Sequence, residues 1–303
     1  MKTAYLGTSE FAATVLRRLA ESPHRPALVV TPPDRRRGRG RRLSPPPAAE
    51  AARELGLAVH QTESVNRPES VAAIGKVDPA AIAVCAFGQL IGEPLLSEPL
   101  LLNVHPSLIP RWRGAAPIER AIMAGDERTG VTIMRVIEAL DAGPVALQGQ
   151  VAIEAGEGFD AIAPRLAALG GDLLVEALDL AERGELAFSD QDEASATYAE
   201  KIAPEERRLD PARPAAELER AVRALNPHVG TYLELEGGER LVVRSARRGP
   251  DGPERGAIEA GDGELVLGTA DGSLRLLVVQ PTGGRSMPAA DFLRGHAAPP
   301  AAR

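Results

Sequence analysis

The residues best suited to chemistry lie where an apolar run meets a proline. Leu100, Leu101 and Leu102 lead into Asn103-Val104-His105, and Pro106, with no N–H to give a ladder, ends the strand. Side chains two apart on a strand share a face, about 6 to 7 Å apart, so Asn103 and His105 form one pair at a strand's carboxyl end. A third candidate, Asp141, follows the strand-like run 131–136, in a turn that Gly143 frees. If the two runs are neighbours, an asparagine, a histidine and an aspartate converge. Such a set suits attack of an amine on a carbonyl-type carbon. The amide donates to a developing oxyanion, the imidazole shuttles a proton near neutrality, and the carboxylate orients the imidazole or takes the amine's proton. No covalent nucleophile is needed. Residue types alone leave a second reading open: a strand-end histidine also serves as a hydrogen-bonded structural residue, and an isolated aspartate as a turn residue or helix cap.

The elements that must position these residues read as α/β. Short apolar runs at 3–6, 27–31, 80–87, 100–105 and 131–136 alternate with helical stretches at 11–21, 47–55 and 118–124. Nearly all-apolar runs indicate strands covered on both faces, hence a Rossmann-like, doubly wound parallel sheet. In such sheets ligands bind outside the carboxyl ends of the strands, which is where Asn103 and His105 fall. A helix over 159–183 ends near Gly184, and the polar segment 189–208 reads as a linker. Beyond it, a helix at 215–225 precedes about five short strands with hairpin turns at Glu236-Gly237-Gly238 and Asp271-Gly272, which predicts a small OB-like β-barrel. The expected domains are therefore 1–188, carrying a basic loop at 34–47, and 209–303.

Several function classes lose support. Gly7-Thr8-Ser9-Glu10 after the first run is not the glycine fingerprint of a dinucleotide site, which disfavours a dehydrogenase. The single cysteine, Cys85, sits in an apolar run and reads as a buried, inert thiol. The five histidines are scattered, so no metal is expected. No apolar stretch approaches the roughly 20 residues that span a bilayer, and the start does not read as a signal peptide, so a cytoplasmic protein is expected. Nothing suggests a coiled coil or large exposed apolar surface, which favours a monomer.

The net charge of −7 is unevenly spread. Arg35, Arg36, Arg37, Arg39, Arg41 and Arg42 place six positive charges in eight positions, while the rest of residues 1–206 holds 15 basic against 29 acidic residues. A basic loop on an acidic domain fits an arm for RNA phosphates, with a solvated charge run as the alternative.

The string Asn103-Val104-His105-Pro106-Ser107-Leu108-Ile109-Pro110-Arg111-Trp112-Arg113-Gly114-Ala115-Ala116-Pro117-Ile118 resembles the signature of the 10-formyltetrahydrofolate-dependent formyltransferases. Thr129-Gly130-Val131-Thr132 and Leu140-Asp141-Ala142-Gly143 extend it, and weaker similarity runs through the whole chain. The Arg111–Ile118 part is closest to the tRNA-acting branch of that family. The resemblance implies formyl transfer from 10-formyltetrahydrofolate to the α-amine of initiator methionyl-tRNA, through a tetrahedral intermediate that expels tetrahydrofolate. It assigns the formyl oxygen to Asn103, the reacting centre to His105 and proton removal to Asp141. Ser107, Leu108, Ile109 and Pro110 become the folate-binding segment, Phe87 and Gly88 line the pterin pocket (a plain core aromatic being the alternative for Phe87), and the six arginines contact tRNA, Arg39 foremost. Formyl transfer to an amino sugar or glycinamide ribonucleotide, or hydrolysis of the folate's formyl group, would keep the same three residues; a non-catalytic RNA-binding α/β protein would leave them unexplained.

Overall fold

The computed structural model describes residues 1–37, 42–97 and 100–302. The chain divides into two compact units: Met1–Pro117 with Arg128–Ala152 and Ala163–Ala199, and Ile118–Glu127 with Ile153–Ile162 and Glu200–Arg303.

The first unit opens with β1 (Thr3–Gly7), buried along its whole length as a nearly all-apolar run requires. Ser9 caps α1 (Glu10–Ala20) by accepting the Ala12 N–H at 3.3 Å, and Val15, Leu16 and Leu19 give the helix its buried face. After β2 (Pro26–Thr31) come the arms of a two-stranded ladder, β3 (Arg35–Arg37) and β4 (Arg42–Ser44). Then follow α2 (Pro47–Glu54), β5 (Val59–Gln61), α3 (Pro68–Val77), β6 (Ala81–Cys85) and β7 (Leu100–His105). The two-residue β8 (Arg113–Gly114) leads to α4 (Pro117–Ala124), β9 (Arg128–Arg135), β10 (Val145–Ala152), the long α5 (Phe159–Glu182) and β11 (Tyr198–Ala199).

The main sheet has the order β10-β9-β7-β6-β1-β2-β5. From β5 to β7 it is parallel, as the sequence predicts, but β9 runs antiparallel to both of its neighbours, β7 and β10. Parallel pairing requires a crossover over the sheet, whereas the only helix between β7 and β9 is the eight-residue α4, which groups mostly with the second unit. The strand β9 therefore enters from the opposite direction, in the register Asn103↔Met134 and His105↔Thr132. Helix α5 packs closely on this part of the sheet: a Cβ at Gly170 would come within 2.8 Å of Val104 in β7. Cys85 is buried at the end of β6, and burial pushes its thiol up to about 12.

The second unit holds α6 (Ala215–Leu225), β12 (Thr231–Glu234), β13 (Arg240–Gly249), β14 (Ile258–Gly261), β15 (Glu264–Gly268), β16 (Ser273–Gln280), β17 (Met287–Pro288) and α7 (Ala289–Gly295). Its antiparallel sheet, β12-β13-β16-β15-β14, wraps a core that includes Leu218, Leu233, Leu241, Leu265, Leu276 and Phe292. Bridges from Ala302 to Leu235 and from Ala301 to Ala257 tie the two edges together, giving the barrel-like form. The segment 189–208, expected as a linker, is built into structure. Ser189 and Val145 exchange backbone hydrogen bonds at 2.8 and 2.9 Å, β11 pairs in parallel with β8, and Arg208 bridges to Tyr232.

Candidate active site

The carboxyl edge of the parallel strands gathers most of the sequence-predicted residues. Asn103 is half-buried and His105 is buried, two positions apart on β7. The end of β9 lies beside the start of β7, where Val136 N donates to Leu101 O, and the loop 136–144 folds back to bring Asp141 to the pair. One carboxylate oxygen, Oδ1, accepts from Asn103 Nδ2 at 3.4 Å. The other, Oδ2, accepts the Gly114 N–H at 2.8 Å and stands 3.6 Å from His105 Nδ1. Asp141 holds this place with a left-handed backbone, φ +48°, the kind of local strain that a rigid surround must support.

The imidazole is oriented from its far side. His105 Nε2 lies 2.9 Å from the carbonyl oxygen of Trp112, which can only accept, so Nε2 carries the hydrogen and Nδ1 faces Asp141. Trp112 turns its carbonyl inward through a positive φ of 68°, and its N–H is held by Thr197 Oγ1 at 2.9 Å. Sequence reasoning gave neither this carbonyl nor the Gly114 amide a role, because backbone groups leave no mark in residue types.

Ser107, Leu108, Ile109 and Pro110 follow directly, with a cis peptide before Pro110. The segment is fastened to the sheet through Thr132, whose fully buried hydroxyl donates to Ser107 O at 2.7 Å and accepts from Ile109 N at 3.2 Å. Gln148 Nε2 donates to Ile109 O at 2.7 Å and to the same hydroxyl at 2.9 Å. Gly130 lets Leu108 lie flat on the sheet, since a Cβ there would stand 2.5 Å from Leu108 Cδ2. Gln148 carried no sequence signal.

On the neighbouring β6, paired in the register Val84↔Asn103, the chain leaves through Ala86 and Gly88, both with positive φ. Phe87 is 4% exposed and packs in the core with Val65, Leu95 and Leu101, so its ring meets the description of a core aromatic. Its backbone and Gly88 still lie at the sheet edge.

The basic arms β3 and β4 follow β2, a strand that lies three places, about 14 Å, from β7 in the main sheet. Arg35, Arg36 and Arg42 are exposed, and Arg36 pairs across the ladder with Leu43, itself 66% exposed. Arg37 ends the first arm. Arg39 and Arg41 lie outside the described residues.

Among the described residues, one group of metal-ligand type does come together, despite the scattered histidines. His24 meets Asp179 and Glu182 at the opposite end of β1. His24 Nε2 lies 2.8 Å from Asp179, and the ammonium of Met1 lies 2.8 Å from His24 Nδ1 and 2.7 Å from Glu182.

With this geometry in hand, similarity to known proteins is informative. The formyl transferase family model matches residues 1–178, and the model of the formyl transferase C-terminal domain matches 201–297. A methionyl-tRNA formyltransferase from Methylococcus capsulatus is 43% identical over 302 residues, 98% of this chain and 97% of that protein. One from Halorhodospira halophila is 42% identical over 299 residues, 97% of this chain and 96% of that protein. Among solved structures, HypX from Aquifex aeolicus in complex with tetrahydrofolic acid shares the fold, with a TM-score of 0.66 at 20% identity. That match covers 99% of this chain but 49% of HypX. Matched from end to end by both kinds of relative, the chain belongs to the formyl transferase family and groups with its methionyl-tRNA formyltransferases.

Proposed function

We propose that this protein transfers the formyl group of 10-formyltetrahydrofolate to the α-amine of initiator methionyl-tRNA, with Asn103, His105 and Asp141 as its catalytic residues. The observation that carries the assignment of roles is the meeting of Asn103 and His105 on the Asp141 carboxylate, with Gly114 N holding Asp141 and Trp112 O holding His105, at the ligand-binding edge of the sheet. Full-length relatives named for this reaction support the choice of substrates.

The carboxamide of Asn103 is aimed by Asp141 through one N–H, and its second N–H is the donor for the formyl oxygen as negative charge develops there. Asp141 Oδ1 has only that long 3.4 Å bond, whereas Oδ2 has the short bond from Gly114, so Oδ1 is the better placed to receive the proton of the attacking amine. His105 turns Nδ1 toward Oδ2 of that carboxylate at 3.6 Å, placed to accept a proton that Asp141 has taken up, and the Trp112 carbonyl prevents the ring from flipping. Positioning and oxyanion stabilisation then supply most of the rate.

The folate donor fits the residues present. The braced 107–110 segment offers a fixed backbone edge beside the catalytic three, and the positive-φ turn 86–88 re-aims peptide groups at the same edge, as a flat heterocycle with donors and acceptors requires. In this reading Ser107, Leu108, Ile109, Pro110, the backbone of Phe87 and Gly88 hold the donor. Arg35, Arg36, Arg37, Arg39, Arg41 and Arg42 engage acceptor-stem phosphates, on an arm at the right edge to deliver the charged end to Asn103. The working unit is a single chain acting in the cytoplasm, where charged tRNA is found. Among the described residues no helix is long and apolar enough to cross a membrane.

The roles are tested by single-turnover transfer with Asn103→Ala and Asp141→Asn. Each lowers the transfer rate by about 100-fold or more while tRNA affinity changes little. Full activity in both variants would remove Asn103 and Asp141 from the chemistry.

A further inference from the structure

We propose that Gln191 is a positioning residue for the carboxylate of Asp141, working from the polar segment that the sequence presents as a linker; the proposal rests on the catalytic role assigned to Asp141 above. Gln191 Nε2 donates to two backbone carbonyls of the Asp141 turn, Asp141 O at 2.9 Å and Gly143 O at 2.6 Å. Its amide thus pins the carbonyl of Asp141, the residue that holds the left-handed φ, and the carbonyl two residues further along the same turn. On the other side, Gln191 Oε1 accepts from Arg113 Nε at 2.9 Å and Nη2 at 2.7 Å. Flipping the amide would set oxygen against two carbonyls and N–H groups against a guanidinium, so the orientation has one solution.

The anchor behind this amide is itself fixed. The Arg113 side chain is 2% exposed and pairs through two nitrogens with Glu193, at 2.9 and 2.6 Å. This pairing holds the Glu193 carboxyl below its ordinary value. Arg113 sits in β8, which pairs with β11 in the register Tyr198↔Arg113, and the next residue is Gly114, whose N–H binds the Asp141 carboxylate directly. One short strand therefore grips the aspartate twice. Gly114 fixes the carboxylate, and Arg113, through Gln191, fixes the backbone that carries it. Gln191 contacts none of the three catalytic side chains, so its effect on the reaction runs through the loop.

The test uses Gln191→Glu, which keeps size and an oxygen for Arg113 but replaces the donor to both carbonyls, together with Gln191→Ala. The kcat and both KM values are measured with and without Asp141→Asn. The expected result is a kcat lowered about 10- to 100-fold by Gln191→Glu, both KM values within about 3-fold of wild type, and no further loss beyond about 3-fold in the Asp141→Asn background. A purely structural role would instead lower the folded fraction, read by thermal melting, and leave the kcat of the folded enzyme untouched. Wild-type kcat in Gln191→Glu, or a loss that multiplies in full with that of Asp141→Asn, overturns the proposal. Wild-type kcat in Asp141→Asn alone overturns the active-site reading beneath it, a distinguishable outcome.

Discussion

Replacing Gly143 by alanine perturbs the site without touching a reacting group. A Cβ at Gly143 would stand 1.8 Å from Arg135 O and 2.9 Å from Arg135 C. Both are backbone atoms at the end of β9, where Arg135 N donates to Pro144 O at 3.0 Å, so neither can swing aside as a side chain would. Restoring a separation of even 3.0 Å moves the turn by about 1.2 Å, and Asp141 lies two residues away on it. A displacement near 1 Å at a catalytic group costs on the order of 100-fold in rate, and overpacking costs about 1 to 3 kcal/mol of stability. Steady-state formyl transfer on the Gly143→Ala variant is expected to show kcat down about 100-fold, with KM for tRNA within about 3-fold. Gly75→Ala is the control: in α3 a Cβ meets nothing within 4 Å, so activity stays at wild type. Retention of kcat within about 3-fold in Gly143→Ala would refute the claim that the turn must be held where it is.

Thr132→Val removes the hydroxyl that links Ser107, Ile109 and Gln148, leaving buried groups unpaired at a cost of about 1 to 3 kcal/mol; KM for the folate donor should rise about tenfold, and an unchanged KM and melting temperature would contradict the bracing role. In the second unit, Glu206 hydrogen-bonds Arg120 at 3.0 Å and by a second, shorter contact, which holds its carboxyl below the ordinary value of 4.5. A depressed folded-state value means the stabilisation is present in full above pH 4.5 and is lost as pH falls from there through the lower folded-state value. Wild type should therefore melt above Glu206→Gln at pH 7, by less than about 1 kcal/mol given partial exposure, and the gap should close in acid. A gap that widens in acid would reverse the assignment. The Arg35→Ala/Arg42→Ala pair should weaken tRNA binding and flatten its salt dependence by about one log–log unit per lost phosphate contact, with kcat at saturating tRNA unchanged. An unaltered salt slope would take β3 and β4 out of the RNA interface.

Legibility followed the physics of each feature. Asn103 and His105 could be read because strand period and Pro106 fix which face they share and where the strand stops. Asp141 was legible only on the condition that the two runs are neighbours, because its arrival depends on β9 running antiparallel and on a loop folding back, neither of which residue pattern encodes. The edge strand β10 was missed, since Val145–Ala152 mixes glycine and glutamine into a half-exposed strand. Gln191 was hidden for a related reason. A polar residue in a charged segment looks solvated until the fold supplies Arg113 on one side and two carbonyls on the other. The basic run showed its charge but not the ladder Arg36↔Leu43, because arginines carry little strand signal. The meeting of His24 with Asp179 and Glu182 spans about 155 positions and lies beyond any spacing rule.

The most direct measurement is formyl transfer from 10-formyltetrahydrofolate to charged initiator methionyl-tRNA, with elongator methionyl-tRNA and an amino sugar as parallel acceptors. Transfer to the initiator tRNA, with little to the other two, is the predicted result. Transfer to the sugar alone would keep the Asn103, His105 and Asp141 chemistry and contradict the tRNA assignment, and transfer to none of the three would contradict the account as a whole.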